Sequence, residues 1–316
     1  MRKLSTIDPG WWDYTTLNDE ILNNAAILTL SDIEQLSRPG FTVKMYDSRE
    51  ELFVAQAMEY ITSWKDSTTD NPTGICGPIG PTEQLPLVAQ IVNDLNISLK
   101  DAYFWGMDEW AINGQAVSLD HPLSFAGADF RLCFDRIKPE LLMPRKNMFF
   151  PSDKNLKEYS ASFDSIKCKV VQGGQGDTKH WAFNDPVRRA GKYTDLPPTP
   201  EEYKSLGVRH VELHPLTMLQ NSRACSGGYL SAMPSTAFTI GAVETWKADK
   251  VSIFHPGYHD NPFGMRLTAF MISKKIMDSS VPMSILADHP NVVWHFYRDG
   301  LGSCKPQIGW PLPISK

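Results

Sequence analysis

The sequence has no apolar run that approaches the roughly 18 residues needed to cross a bilayer. Its first residues, MRKLSTIDPGWWDYTT, also lack the apolar stretch that a secretion signal requires. Neither a membrane-spanning segment nor an exported protein is therefore expected. These two absences predict a cytoplasmic protein with no membrane partner.

Cysteine is scarce, and its spacing is uninformative. The five cysteines are an odd number, lie far apart and form no CxxC or other metal-type pattern. In a reducing compartment such thiols are expected to be buried or idle, so the sequence gives no reason to predict a metal site. The five residues are Cys76, Cys133, Cys168, Cys225 and Cys304.

Positive charge is not concentrated anywhere in the chain. The formal net charge is −5 and the basic residues are scattered, so neither a nucleic acid nor an anionic membrane is an expected partner. With 316 residues, of which 42% are hydrophobic, the chain is long enough to bury a sizeable core. The expected partner is a small molecule.

From residue 41 onward, short β-rich runs alternate with longer helical patterns. This alternation predicts an α/β fold, namely an open, mostly parallel sheet flanked by helices, or Rossmann-like. We divide the chain into an N-terminal extension, 1–40, and an α/β domain, 41–316. The predicted strands are FTVKMY, TGICG, AYFWGM, KCKVVQGG, KVSIFHPG and NVVWHFY, and the clearest helices are REELFVAQAMEYITSW, EQLPLVAQIVNDL and FGMRLTAFMISKKIM.

Two segments stand outside this alternation. The extension carries an aromatic cluster and then ILNNAAILTLSDIEQL, whose apolar spacing is helical and in which Ser31 and Asp32 are candidate caps. Residues 187–208 are rich in proline, glycine and charge, which predicts a surface excursion or a lid. Ligands of open α/β sheets bind outside the carboxyl ends of the strands, so the chemistry is expected just after each predicted strand.

The densest set of polar side chains follows the strand KCKVV. Glycines 173, 174 and 176 allow a tight turn and a close approach to a ligand, and His180 can exchange protons near neutral pH. Asp177, Thr178, Lys179, Asn184 and Asp185 complete this set. A glycine-rich turn is more often structural than catalytic, but its place at the end of a strand favours a site.

Three further stretches are candidates for chemistry. Asp108 and Glu109 directly follow the strand AYFWGM, where a carboxylate with a raised pKa could act as a base, or where the pair could simply cap a helix. The loop from Gly74 to Pro81 precedes a helix whose backbone N–H groups could hold an anion, although two prolines remove donors. Arg223, in the sequence NSR, could clamp a phosphate or simply lie on the surface.

Taken in order, these motifs resemble the glucosamine-6-phosphate deaminases. The resemblance covers residues 41 to about 299 and is carried by the glycine-rich loop, MDEW with HPLSF beginning thirteen residues after its Asp108, GGxGxxxHxAFNDP, NSR and PSTAFTIGAVETW. The 6-phosphogluconolactonases share that fold but lack AFNDP and the MDE and HPxS pair, so they are the more distant relatives.

The resemblance implies conversion of an amino-sugar phosphate to a ketose phosphate and ammonia without a metal or organic cofactor. By motif, Asp108 matches the base for the proton at C2, His180 the ring-opening histidine and Asp185 the carboxylate that orients it. The substrate-binding positions that it implies are Gly77 and Gly80 of the phosphate loop, Thr178, Arg223 and Arg266. A homo-oligomer is compatible with the resemblance.

This sequence departs from the family pattern at several of these positions. Thr178 stands where the family has an Asp, and Lys179 where it has a Gly. Gly77-Pro78-Ile79-Gly80-Pro81 replaces a loop with hydroxyl groups, and an insertion leaves either Asp260 or Arg266 at the position of the phosphate-binding Lys. Arg209 is retained, but Val211 stands where some members carry a Lys of an allosteric phosphate site.

The departures leave three alternatives beside the deaminase. The first is a substrate that is unphosphorylated or differently charged. The second is a sugar-binding paralogue that does not turn its ligand over. The third is a lactonase-like hydrolase in which His180 activates water.

Overall fold

The computed structural model describes residues 2–257 and 261–306. Within them, seven strands form one sheet in which every neighbouring pair runs parallel. The predicted α/β class with a parallel sheet is therefore confirmed. In the order in which they lie across the sheet, the strands are β1 (Phe41–Tyr46), β11 (Val292–Tyr297), β10 (Val251–His255), β7 (Lys167–Gly173), β2 (Thr73–Gly77), β3 (Tyr103–Gly106) and β6 (Met148–Phe149).

The α-helices of the described residues lie mostly between these strands. The apolar spacing predicted α3 at its observed bounds and α4 and α10 to within a few residues. In chain order the helices are α1 (Asp19–Ala26), α2 (Leu30–Glu34), α3 (Arg49–Trp64), α4 (Gln84–Asp94), α5 (Phe125–Leu132), α6 (Leu156–Ser165), α7 (Pro200–Lys204), α8 (Pro215–Ser226), α9 (Ala242–Thr245) and α10 (Pro262–Ser273).

Helices cover both faces of the sheet because side chains alternate along each strand. On one face, Ile75 and Phe104 pack with the apolar residues of α3 and α4. On the other face, Cys76 and Trp105 pack with those of α6 and α10. Both faces are therefore closed to solvent, and the carboxyl edge of the sheet is where a ligand can enter.

A second, antiparallel sheet was not predicted. Its strands, in sheet order, are β5 (Gln115–Ala116), β4 (Asp108–Ile112), β9 (Thr236–Thr239) and β8 (Arg209–Glu212). Asp108 and Glu109 therefore do not simply follow the strand AYFWGM. They begin β4, which is separated by the single residue Met107 from the end of β3 at Gly106.

Residues 2–40 pack on the α/β domain. The predicted single helical stretch is two helices: α1 ends at Ala26, and α2 begins after Thr29, whose side chain forms a capping box with Asp32. Helix α1 contacts α10, and the aromatic residues Trp11 and Trp12 are buried. Across the described part of the chain, no helix combines the length and the apolar character that a membrane span requires.

Candidate active site

A cleft of about 490 Å³ lies at the carboxyl edge of the parallel sheet. Loops after β2, β7 and β10 meet there, together with the start of β4 and one side of α8. Its polar lining groups include Glu83, Asp108, Gln175, His180, Gln220, Asn221 and His255, and its apolar lining includes Ile79, Met107, Phe125, Phe183 and Phe254. This is the position at which open α/β sheets bind ligands.

His180 and Asp185 form a buried pair at this cleft. The Nδ1 atom of His180 lies 2.7 Å from Oδ1 of Asp185, and the two side chains are 10% and 2% exposed. The pair fixes the direction of the imidazole ring and leaves its Nε2 atom beside Gly176. A histidine held through Nδ1 in this way can exchange a proton through Nε2.

Asp185 accepts hydrogen bonds from three further groups. The hydroxyls of Thr178 and Thr217 donate to Oδ1 at 2.6 and 2.7 Å, and the backbone N–H of His214 donates to Oδ2 at 2.9 Å. Burial by itself raises the pKa of Asp185, but the adjacent His180 ring and these donors outweigh burial and lower that pKa below its ordinary value. The carboxylate thus stays charged and rigidly held.

Gly176 makes room for the His180 ring. A Cβ atom at this position would lie 2.2 Å from Nε2 of His180, which is far inside van der Waals contact. The glycine run of the motif is therefore needed here for close approach, as the sequence suggested, but the group that approaches is the imidazole.

The two adjacent carboxylates, Asp108 and Glu109, point to opposite faces of β4. Glu109 is buried, and it accepts hydrogen bonds from Ser124 Oγ and from the backbone N–H groups of Phe125 and Ala126 at the start of α5. The helix-cap alternative therefore holds for Glu109. Only Asp108 lines the cleft.

Asp108 is a carboxylate with an unusual pKa. Burial raises its pKa from 3.8 to about 6, and this shift is only partly offset by favourable contacts. The Phe183 N–H donates to Oδ1 at 3.1 Å, and the nearby His180 also lowers the pKa. A carboxylate with a pKa near 6 is a stronger base than an ordinary one and is still ionised at neutral pH.

The predicted phosphate loop reaches the cleft only in part. Gly80 lines it, whereas Gly77 is the last residue of β2 and has Tyr60 against it, since a Cβ there would lie 2.3 Å from the tyrosine hydroxyl. Glu83 also lines this end of the cleft, and its Oε2 accepts the Thr82 N–H at 2.9 Å. One backbone donor of the loop is thus already taken by a carboxylate.

Arg223 lies on α8 but outside the cleft lining. Its Nη2 atom donates to Asp177 Oδ2 at 2.8 Å, and its side chain is 58% exposed. Its helix neighbours Gln220 and Asn221 do line the cleft, and the Gln220 side chain accepts the Asp177 N–H at 2.7 Å. As a phosphate ligand, Arg223 would have to leave its contact with Asp177.

Two predicted substrate-binding residues are placed elsewhere. The Arg266 guanidinium is buried and donates to four backbone carbonyls, those of Leu28, Pro262, Leu301 and Gly302, at 2.6 to 3.1 Å. Arg266 therefore does not line the described cleft but ties the N-terminal extension to the end of the described chain, and substrate binding by this residue stays a prediction. Its sequence alternative, Asp260, lies outside the described residues.

Thr178 does not line the cleft either. It is fully buried, and its hydroxyl is turned to Asp185 and away from the cleft. Lys179, the cation gained beside His180, is 3% exposed and its ammonium lies 4.2 Å from the centre of the Tyr14 ring. Neither departure from the family pattern therefore places a new group in the cleft.

Several groups that build the site were not predicted from the sequence. Thr217 and the His214 N–H, which hold Asp185, come from a different element about 30 residues away, and no local pattern links them to His180. The start of α8 was detectable, because a proline at the first helical position follows His214. Gln175, Gln220 and His255 also line the cleft.

Residues 187–208, predicted to be a surface excursion or a lid, contribute nothing to the described lining of the cleft. They contact the N-terminal extension instead, and they contain a 3₁₀ turn, Gly191–Tyr193, and α7. Arg209, which follows them, donates to Asn184 Oδ1 at 2.7 Å.

Among the residues in the structure, no group of three or more His, Cys, Asp or Glu side chains could hold a metal ion.

Comparison with known proteins gives the same relatives as the motifs. No family model matches the chain. Glucosamine-6-phosphate deaminases of Actinobacillus pleuropneumoniae, from serotypes 5b and 3, are 23% identical over 197 residues, which is 61% of this chain and 67% of theirs. The predicted resemblance is therefore confirmed.

Solved structures share the fold at lower identity. A monomeric glucosamine-6-phosphate deaminase of the NagB superfamily superposes with a TM-score of 0.63 at 19% identity, covering 82% of this chain and 98% of its own. The 6-phosphogluconolactonase of Leishmania guyanensis superposes with a TM-score of 0.56 at 13% identity, covering 82% and 97%. The neighbours are enzymes, and this chain has their fold.

Proposed function

We propose that this chain isomerises and deaminates an amino-sugar phosphate, converting glucosamine 6-phosphate or galactosamine 6-phosphate to a ketose 6-phosphate and ammonia. The observation that carries the proposal is the cleft itself, where the His180–Asp185 pair and the Asp108 carboxylate line one cavity. The names of the similar proteins support the same reaction.

The first step assigned to the cleft is ring opening. With Nδ1 held by Asp185, the Nε2 atom of His180 takes the proton of the anomeric hydroxyl and returns it to the ring oxygen, so that the C1 carbonyl forms as the ring bond breaks. Asp185 orients the ring and stabilises its transient positive charge. The net proton balance of this step is zero.

The second step is proton transfer from C2 to C1. Asp108 removes the C2 proton while the ammonium group of the substrate gives a proton to the C1 carbonyl oxygen, which yields an enolamine; Asp108 then delivers its proton to C1, which leaves a protonated imine at C2. Water then adds to that imine and ammonia departs, giving the ketose. A base with a pKa near 6 serves both directions of this transfer, because it is ionised at neutral pH and still binds a proton readily.

A second candidate function is the same reaction on an amino sugar without a phosphate. The contact between Glu83 and the Thr82 N–H favours it, because a carboxylate at that loop repels an anionic group and occupies a donor that a phosphate would need. The proline residues at 78 and 81 contribute no N–H to the same loop.

Ammonia release is the direct test. The purified chain is incubated with glucosamine 6-phosphate, galactosamine 6-phosphate and glucosamine, and the His180→Asn variant serves as the matched control. Turnover of a phosphorylated sugar that is lost in the variant is the expected result. Preference for glucosamine would support the second candidate.

Two further arms separate the remaining alternatives. Hydrolysis of 6-phosphogluconolactone, without ammonia release from any sugar, would contradict the proposal and favour a lactonase. A sugar that raises the melting temperature of the protein with no product at high protein concentration would indicate binding without catalysis.

A further inference from the structure

Residues 10–14 do not line the cleft, but they contact the chain on either side of the His180–Asp185 pair. The backbone N–H of Trp12 donates to the carbonyl of Val187 at 2.9 Å, and the N–H of Arg189 donates to the carbonyl of Gly10 at 2.8 Å. These two bonds join the N-terminal extension to the chain immediately after Asp185 and Pro186. They hold one end of the loop that carries the pair.

A second contact reaches the support of Asp185. The Trp11 ring packs edge-on against the His214 ring, with ring centres 4.9 Å apart, and both side chains are buried. The backbone N–H of His214 is the donor to Asp185 Oδ2. His214 also caps α8, which carries Thr217, the hydroxyl donor to Oδ1. Displacement of Trp11 would therefore loosen two of the donors to Asp185.

A third contact lies directly before His180. The Lys179 ammonium lies over the Tyr14 ring at 4.2 Å and donates to Asn261 Oδ1 at 3.3 Å and to the Asp177 carbonyl. Lys179 adopts a left-handed backbone with φ of 64°, a conformation that costs a side-chain-bearing residue some energy. The contacts of its side chain with Tyr14, Asn261 and Asp177 help to stabilise this conformation.

These contacts surround the pair at three points: before His180, after Asp185 and behind the donor to Asp185. We propose that residues 10–14 form a clamp that positions the His180–Asp185 pair for catalysis, with Trp11 as the principal positioning residue. The expected effect of the clamp on turnover rests on the proposed function, whereas its expected effect on the geometry of the His180–Asp185 pair does not.

The first test compares two substitutions of Trp11. Trp11→Ala removes the ring that contacts His214, and we expect kcat to fall ~10- to 100-fold with KM changed less than about threefold, since displacement of a catalytic group by about 1 Å costs that much. Trp11→Phe keeps an aromatic edge at the contact and is expected to retain kcat within about threefold.

Ile33→Ala is the matched control. Ile33 is fully buried in the same extension but belongs to the core between α2 and the sheet, far along the chain from the clamp. It should destabilise the extension without changing kcat by more than about twofold, because no contact of the pair is lost. An equal loss of kcat in Ile33→Ala would overturn the proposal, as would an unchanged kcat in folded Trp11→Ala.

The second test needs no substrate, so it distinguishes failure of the clamp from failure of the proposed function. In protein labelled at histidine, the downfield proton resonance of the His180 Nδ1–H is assigned by its absence from His180→Asn. We expect Trp11→Ala to shift or broaden this resonance and Ile33→Ala to leave it unchanged. An unchanged resonance in Trp11→Ala would refute the clamp whether or not any sugar is turned over.

Lys179→Met provides a variant in case Trp11→Ala fails to fold. It keeps the aliphatic stem and the backbone position but removes the charge that contacts Tyr14 and Asn261. A shifted His180 resonance together with a lower kcat is expected. Retention of both would contradict the role of this contact in the clamp.

Discussion

Asp108→Asn should make the protein more stable, because burial makes ionisation of this carboxyl group unfavourable. It should also leave the protein nearly inactive, because the proposed base is removed. Its pKa is raised by burial from 3.8 to about 6. The folded state thus binds the proton more tightly than the unfolded chain does. The stability that Asp108 contributes is fully present below pH 3.8 and is lost as the pH rises through 6.

The size of the stability change follows from the shift in the pKa of Asp108. A pKa raised by about two units corresponds to a free energy of roughly 3 kcal/mol that disfavours the ionised form in the folded state. Solvent in the cleft reduces this free energy, since the side chain is only partly enclosed. Asn has the same shape, carries no charge and can still accept the Phe183 N–H through its carbonyl oxygen. We expect the variant to be more stable than the wild type by about 1 to 3 kcal/mol at pH 8 and by less at pH 4.5.

Urea denaturation at the two pH values measures the difference, and initial rates measure the accompanying loss of kcat, expected to be ~100- to 10,000-fold. For the wild type, kcat/KM should fall about tenfold per pH unit below pH 6, as the base becomes protonated. The reasoning would be refuted by a stability difference that does not depend on pH, or by an Asn variant that is less stable at pH 8.

Two other substitutions test the positions assigned to His180 and Arg266. Gly176→Ala places a methyl group 2.2 Å from Nε2 of His180, so the imidazole must move, and we expect kcat to fall ~100-fold or more while the melting temperature falls by only a few degrees. A fully active variant would contradict the assigned ring position. Arg266→Met removes four hydrogen bonds to carbonyls, so urea denaturation should show a free energy of unfolding lower by about 3 kcal/mol or more, with KM unchanged. A raised KM at unchanged stability would instead place Arg266 at the substrate site.

The parallel sheet was predictable from the sequence because its strands are buried on both faces. VSIFH of β10 and TGICG of β2 are buried at every position, so each forms an apolar run that ends at a glycine or a polar cluster. The antiparallel sheet gave no such signal. Its strands β8 and β9 have four residues each; β9 pairs with β4, which is distant in sequence, and β8 is joined to the sheet only through β9.

The members of the site were predictable as motifs, but their directions were not. Sequence order cannot show that Asp108 and Glu109 diverge, because that depends on their lying on a strand whose faces meet different surroundings. The same holds for Thr178 and Lys179, which the sequence shows only as departures from the family pattern. One is turned to Asp185 and the other to Tyr14, because the left-handed turn at Lys179 directs its side chain away from the cleft.

The attachment of residues 2–40 has a consequence for folding order. Arg2 donates to Asp278, α1 packs on α10, and β1, which follows directly, pairs along its whole length with β11, so these contacts form only when residues 262–297 have been made. Contacts of such long sequence separation carry a high loop-closure cost and form late. During synthesis, β1 therefore lacks its strand partner until β11 has been made, and an unpaired strand edge of this kind is prone to aggregation.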